Sequence, residues 1–256
     1  MKKKIVSLAL AVCLIAIAAV GTLAYFTDKD TATNTFTSGK VDITLNETDN
    51  EGNPFVQDQK LLPGKDIAKI VNVTNNEEDA YVRLHIAFPA DTIYYGANDG
   101  VQEYNNLVHF NQKYASLAAG EWNWTPTSDG VGGNYPGYPG NGTNYNTYTT
   151  TIDNVEYRVF VVTYMTKLTK DATTKTDAMF NVYLDKYADT TDGETYTAPA
   201  NKADGGYRTA AMSSNLNNYK ILIVAEGCQA EGFNDAYTAL NTSFGIPSTT
   251  NNPWVA

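Results

Sequence analysis

Cysteine is almost missing from this chain: its 256 residues hold two, Cys13 and Cys228. Cys13 falls inside an apolar run near the start, which leaves Cys228 as the one thiol of the body. No disulfide can staple that body, so the fold must rest on burial and hydrogen bonding. A lone thiol without a partner reads as a small core residue rather than a nucleophile. Histidine is equally scarce. His85 and His109 are the only two, and neither sits in the His-Glu-x-x-His spacing that puts two imidazoles and a base around zinc. There is no Gly-x-Ser-x-Gly turn to expose a nucleophilic serine. Positive charge is also in deficit, with 18 Lys and Arg against 28 Asp and Glu and a net charge of −10. Such a chain is not drawn to nucleic acid or to anionic membranes. These absences assign no catalytic residue, no metal and no cofactor. Carboxylate pairs stay open, because acids can meet in space in ways a sequence hides.

What is there begins with a leader. Lys2, Lys3 and Lys4 precede an apolar run from Ile5 to Val20, broken only by Ser7. Gly21, Thr22 and Ala24 then supply the small residues of a signal-peptidase site. The run falls short of the roughly 20 apolar residues of a membrane span. Residues 1–24 are therefore read as a signal peptide, cleaved after Ala24 or Tyr25, with a retained anchor as the other reading. Leu10-Ala11-Val12-Cys13 resembles a lipoprotein box only faintly, since Val12 stands where a small residue is wanted. The expectation is a secreted protein that meets a signal peptidase during export.

Beyond the leader, period-two alternation dominates. Val41, Ile43 and Leu45 alternate with polar residues; Ile67, Lys69, Val71 and Val73 share one parity; and so do Val82, Leu84, Ile86 and Phe88. Residues 155–168 are apolar on both parities around Phe160, which suits a central strand. Phe180, Val182 and Leu184 alternate again, and residues 220–225 form a short buried run. Strands of this kind separated by Gly, Asn and Pro imply an all-β jelly roll or β-sandwich with a few short peripheral helices. The domain spans 40–256, with irregular loops near 130–142 and 189–206. Leu107, Phe110, Tyr114 and Leu117 give residues 105–119 weak helical character. Tyr237, Leu240 and Phe244 mark a terminal helix capped by Asn234 or Asp235 and stopped at Gly245-Ile246-Pro247.

Other features read as structural. Trp122 and Trp124 on one strand parity fill core, although with Tyr135 and Tyr138 they also offer rings for stacking on sugars. Asp49-Asn50-Glu51-Gly52-Asn53 lacks the full calcium-loop series and is read as a hairpin turn.

Several motifs together resemble a known family. They are the leader running into Ala24-Tyr25-Phe26-Thr27-Asp28, then Phe36-Thr37-Ser38-Gly39-Lys40-Val41-Asp42-Ile43, Leu62-Pro63-Gly64-Lys65, Val71-Asn72-Val73-Thr74-Asn75, Asp79-Ala80-Tyr81-Val82-Arg83, and Ile223 through Phe233. The ordered set is similar to the TasA/camelysin family, exported proteins of Gram-positive bacteria and relatives with a SipW-dependent signal peptide. The resemblance implies a jelly-roll subunit of extracellular biofilm-matrix fibres, in which the N-terminal segment of one copy completes a sheet of the next. Its partners would be copies of itself, with other matrix or cell-wall components also possible. Some family members carry a metallopeptidase label, so a camelysin-like peptidase is one alternative. A monomeric surface domain for carbohydrate or adhesion is another.

The residues bear on strand donation by themselves. Residues 25–39 form an N-terminal segment, joined to the domain through Ser38-Gly39. Within it Thr31, Thr33, Thr35 and Thr37 alternate on one parity, with Phe26 and Phe36 near the ends. That pattern suits a strand added to an open edge. A leader that holds the segment in the membrane would prevent donation until cleavage. The competing expectation is a disordered terminus, or pairing within its own domain.

Overall fold

The structure is a computed structural model that describes residues 40–96, 100–101, 105–110, 122–124, 147–200 and 211–255. In chain order the strands are β1 (Ile43–Thr48), β2 (Ile67–Asn75), β3 (Ala80–Pro89), β4 (Tyr95–Gly96), β5 (Gly100–Val101), β6 (Val108–Phe110) and β7 (Trp122–Asn123). They continue with β8 (Thr147–Ile152), β9 (Val155–Tyr164), β10 (Met179–Leu184), β11 (Asp189–Thr190), β12 (Thr195–Ala198), β13 (Met212–Asn215) and β14 (Leu222–Gln229), and helix α1 (Ala236–Phe244) follows.

Two antiparallel sheets form a sandwich, as the alternation requires. One has the order β1-β2-β10-β6; the other runs β14-β3-β9-β7, with β8 also paired to β9. Val71, Val73, Met179 and Val182 from the first sheet meet Val82, Leu84, Ile86, Phe88, Phe160 and Val162 from the second. Phe88 and Phe110 stack across the layer at 4.4 Å, and Trp124 packs on Phe110 at 5.5 Å. Trp122 and Trp124 are each 1% exposed. They fill core, so neither offers a ring to a sugar. Truncating a ring such as Phe88 would cost about 3–5 kcal/mol.

Every residue of β3 is buried, because both faces of its sheet are covered. Its outward parity meets α1 through Tyr81 against Ala236 and Leu240, and meets the tail through Ala87, in one cluster with Tyr148 and Trp254. Helix α1 starts where expected: the Asp235 carboxylate accepts from the Thr238 N–H at 2.8 Å. It ends at Gly245, whose φ of +79° favours glycine. The turn at Asp49 is tied by its own carboxylate, which accepts from the N–H groups of Glu51 and Asn53.

Four expectations differ from the structure. Residues 108–110 are strand, not helix: β6 pairs with β10, placing Phe110 opposite Val182. Phe180 faces solvent because the register shifts between Met179 and Asn181, and Met179 takes the inward place. The stretch 189–206 carries β11 and β12, which form a small third sheet with β13. Its turn is built on Asp192, whose carboxyl is held down to about 2 by the N–H groups of Glu194 and Thr195. Finally, residues 222–227 are half-buried rather than core, since β14 lies at a sheet edge. The loop near 130–142 and the residues Tyr135 and Tyr138 lie outside the described residues.

Candidate functional site

Two places in the sandwich concentrate polar chemistry or open surface. The first is under α1, on the outward face of the second sheet. Adjacent strands place Glu226 of β14 opposite Arg83 of β3. Arg83 Nε donates to Glu226 Oε2 at 2.5 Å, Nη1 to Asn241 Oδ1 at 3.0 Å and Nη2 to the Gly245 carbonyl at 3.2 Å. The guanidinium thereby joins the sheet to the C-terminal end of the helix, where a cation also opposes the helix dipole. His85, two residues along β3, is fully buried. Its Nδ1 lies 2.8 Å from the Tyr148 hydroxyl and its Nε2 lies 3.0 Å from Glu226 Oε2. Burial pushes the His85 imidazole below its ordinary value, against the pull of Glu226. Burial alone would raise the Glu226 carboxyl, but His85 and Arg83 outweigh it and hold it low. Cys228, next along the same face, has its thiol pushed up by burial, which makes it inert. The group works as a buried fastening.

His109 lies elsewhere, on the outward face of the first sheet. It stacks on Tyr183 at 4.9 Å, and its Nε2 lies 3.0 Å from Asp185 Oδ2. It is 8% exposed.

The second place is the side of the sandwich closed by β1 and β14. Among the described residues β14 pairs only with β3, while β1 pairs with β2 and its end is also tied to the following turn, by the Thr48–Pro54 bridge and the Phe55 N–H on the Glu47 carbonyl. At Gly227 the two strands close tightly: a Cβ there would meet Ile43 Cδ1 at 2.9 Å and Val41 Cγ1 at 3.3 Å. Toward the end of β1 they part. A cavity of about 220 Å³ opens there, lined by Phe55, Leu61, Ile67, Lys69, Val182 and Ile221 among others. Lys69 is 4% exposed, faces the core, pairs with the Glu47 carboxylate and lies 4.2 Å over the Phe55 ring. The shared parity of Lys69 with Ile67 and Val71 was the signal for that inward cation.

With this geometry in view, residues 1–85 match the model of a family described as camelysin metallo-endopeptidase. Over that third of the chain the likeness is to this family, in keeping with the motifs quoted above. The matched stretch takes in the N-terminal apolar run, β1, β2 and β3 as far as His85. No curated protein matches the chain.

The family's description implies a metal, and the donors among the described residues do not fit one. Both ring nitrogens of His85 are engaged, and its carboxylate neighbour is already shared with Arg83. His85 and His109 lie on outward faces of different sheets, with the core between them. No cluster of three or more His, Cys, Asp or Glu occurs among the described residues. The cleavage residues Ala24 and Tyr25, and the donor residues Phe26, Thr31, Thr33, Thr35, Phe36 and Thr37, lie outside the described residues. Glu226 is the functional partner that sequence reasoning missed, since it sits in a half-buried strand 143 positions from Arg83.

Proposed function

We propose that this chain is an exported structural subunit of the cell surface or biofilm matrix, which assembles when residues 26–37 of one copy add a strand to an open sheet edge of the next. The observation that carries this reading is the side of the sandwich with β1 and β14. Among the described residues β14 pairs on one side only, β1 does so up to its Thr48–Pro54 bridge, and the threonine-alternating segment precedes β1 in the sequence by five residues. An edge strand left in that state presents a row of unpaired N–H and C=O groups, which is a template for another strand. Main-chain bonds would give such a contact its strength, at about 0.5–1.5 kcal/mol net for each. Cleavage of the leader would release the segment and so time assembly.

The Thr33→Pro variant tests this, because proline removes an N–H from the middle of the segment and stiffens it. In the mature protein it should abolish pelletable polymer while leaving the circular dichroism of the folded domain unchanged. Polymer at the parent's level would exclude the segment as donor. The family description favours a second reading, a metallopeptidase. Stoichiometric zinc in the mature protein, lost when His85 and His109 are both changed to Gln, would establish that reading instead.

A further inference from the structure

We infer that the cavity beside Lys69 is a socket for one aromatic side chain, and that its occupant is Phe36 of a second copy. The inference rests on strand donation and names the contact that would fix its register. Size is the first argument. A cavity of roughly 150 Å³ lined by Leu, Ile and Phe accepts a benzene, whereas sites for drug-sized ligands run from about 300 to 1,000 Å³. At about 220 Å³ this cavity holds one ring and little more. Its lining is the second argument. Phe55, Leu61, Ile67, Val182 and Ile221 give it apolar walls, and the Lys69 ammonium, already over the ring of Phe55, provides a cation for a π face. Position is the third. The cavity opens at Ile221 and Leu222, where the unpaired edge of β14 begins. A strand laid on that edge would present alternate side chains to the gap between the sheets.

Within residues 26–37 the aromatic candidates are Phe26 and Phe36. Cleavage after Ala24 or Tyr25 would leave Phe26 at or next to a charged amino terminus. Among the described residues the cavity has no free counter-charge to offer it beyond Asp58, which stands beside Lys69 and Lys220, and carrying that charge against the apolar walls would cost its hydration. Phe36 carries no such charge. Its neighbours Thr35 and Thr37 are uncharged and suit the amide rim of Gln57 and Gln59. In a donated strand, alternation would set Phe36 on the face opposite to Thr33, Thr35 and Thr37.

The test places a photoreactive azidophenylalanine, a single ring, at position 36 of the mature protein, followed by irradiation of the polymer and peptide mapping. Crosslinks should join position 36 to residues 55–69 or 221–222 of another copy. The Phe36→Ala variant should raise the concentration at which polymer appears by about 10- to 100-fold, as loss of a buried Phe implies. Phe26→Ala should leave that concentration within about threefold, well under one tenfold step. Polymer whose crosslinks map elsewhere, or which ignores Phe36→Ala, overturns the socket and leaves strand donation standing. Failure of the parent to polymerise overturns both.

Discussion

Replacing Glu226 with alanine should be among the most damaging single changes in this domain. Arg83 is 3% exposed, and among the described residues Glu226 is the one acidic group that its guanidinium contacts; the other two acceptors there are the Asn241 amide and the Gly245 carbonyl. Without Glu226 a cation stays buried with no counter-charge. Breaking a buried pair in this way costs about 3–5 kcal/mol. The same change strips His85 Nε2 of its partner, and an unsatisfied buried group adds about 1–3 kcal/mol. Domains of ordinary stability have only about 5–15 kcal/mol to lose. With a urea m-value of about 2 kcal/mol/M, the midpoint of the mature protein should fall by about 2 M or more with m unchanged. The paired change of Arg83→Met with Glu226→Leu should cost less than Glu226→Ala alone, because no charge is left stranded. A midpoint shift below about 0.5 M for Glu226→Ala, a quarter of that expected from the m-value, would refute the reasoning. So would a double variant less stable than the single one.

Three further outcomes follow from the same contacts. Acid should weaken the fold: His85 is held below 6.5 and Glu226 below 4.5. The unfolded chain therefore takes up these protons first, and stability is lost as pH falls from about 6.5, then further below about 4.5. His85→Gln should flatten the upper part of that slope in urea titrations run at several pH values, and an unchanged slope would contradict the assignment. Gly227→Ala should cost about 1–3 kcal/mol in urea unfolding, because its Cβ would land 2.9 Å from Ile43 Cδ1; unchanged stability would mean that β1 and β14 are not in contact there. Asp235→Ala should cost about 1 kcal/mol through the lost cap of α1, and a neutral result would deny the Thr238 bond that defines the helix start.

The sequence carried the sandwich because burial on one face imposes period two, and β2 obeys it residue by residue, Lys69 included. The terminal helix was legible for a similar reason, since its cap and its glycine stop are local signals. Three things were not local. A register shift in β10 turns Phe180 outward, and no composition rule marks it. Leu107 and Phe110 happen to lie three apart, which imitates a helix although β6 is held by β10, where Val182 stands opposite Phe110 from far along the chain. The aliphatic run of β14 says that one neighbour is apolar, not that its outer edge stands open. The candidate site divides the same way. The donor pattern lies in consecutive residues, whereas the cavity is assembled from the β1–β2 connection, β2, β10 and the start of β14.

The most direct measurement is electron microscopy of the mature protein, with and without residues 26–37, at matched concentration and with folding checked by circular dichroism. A structural subunit that polymerises by strand donation predicts fibres from the complete mature chain and folded monomers from the shortened one. Fibres of the same form from both, or none from either, would contradict it.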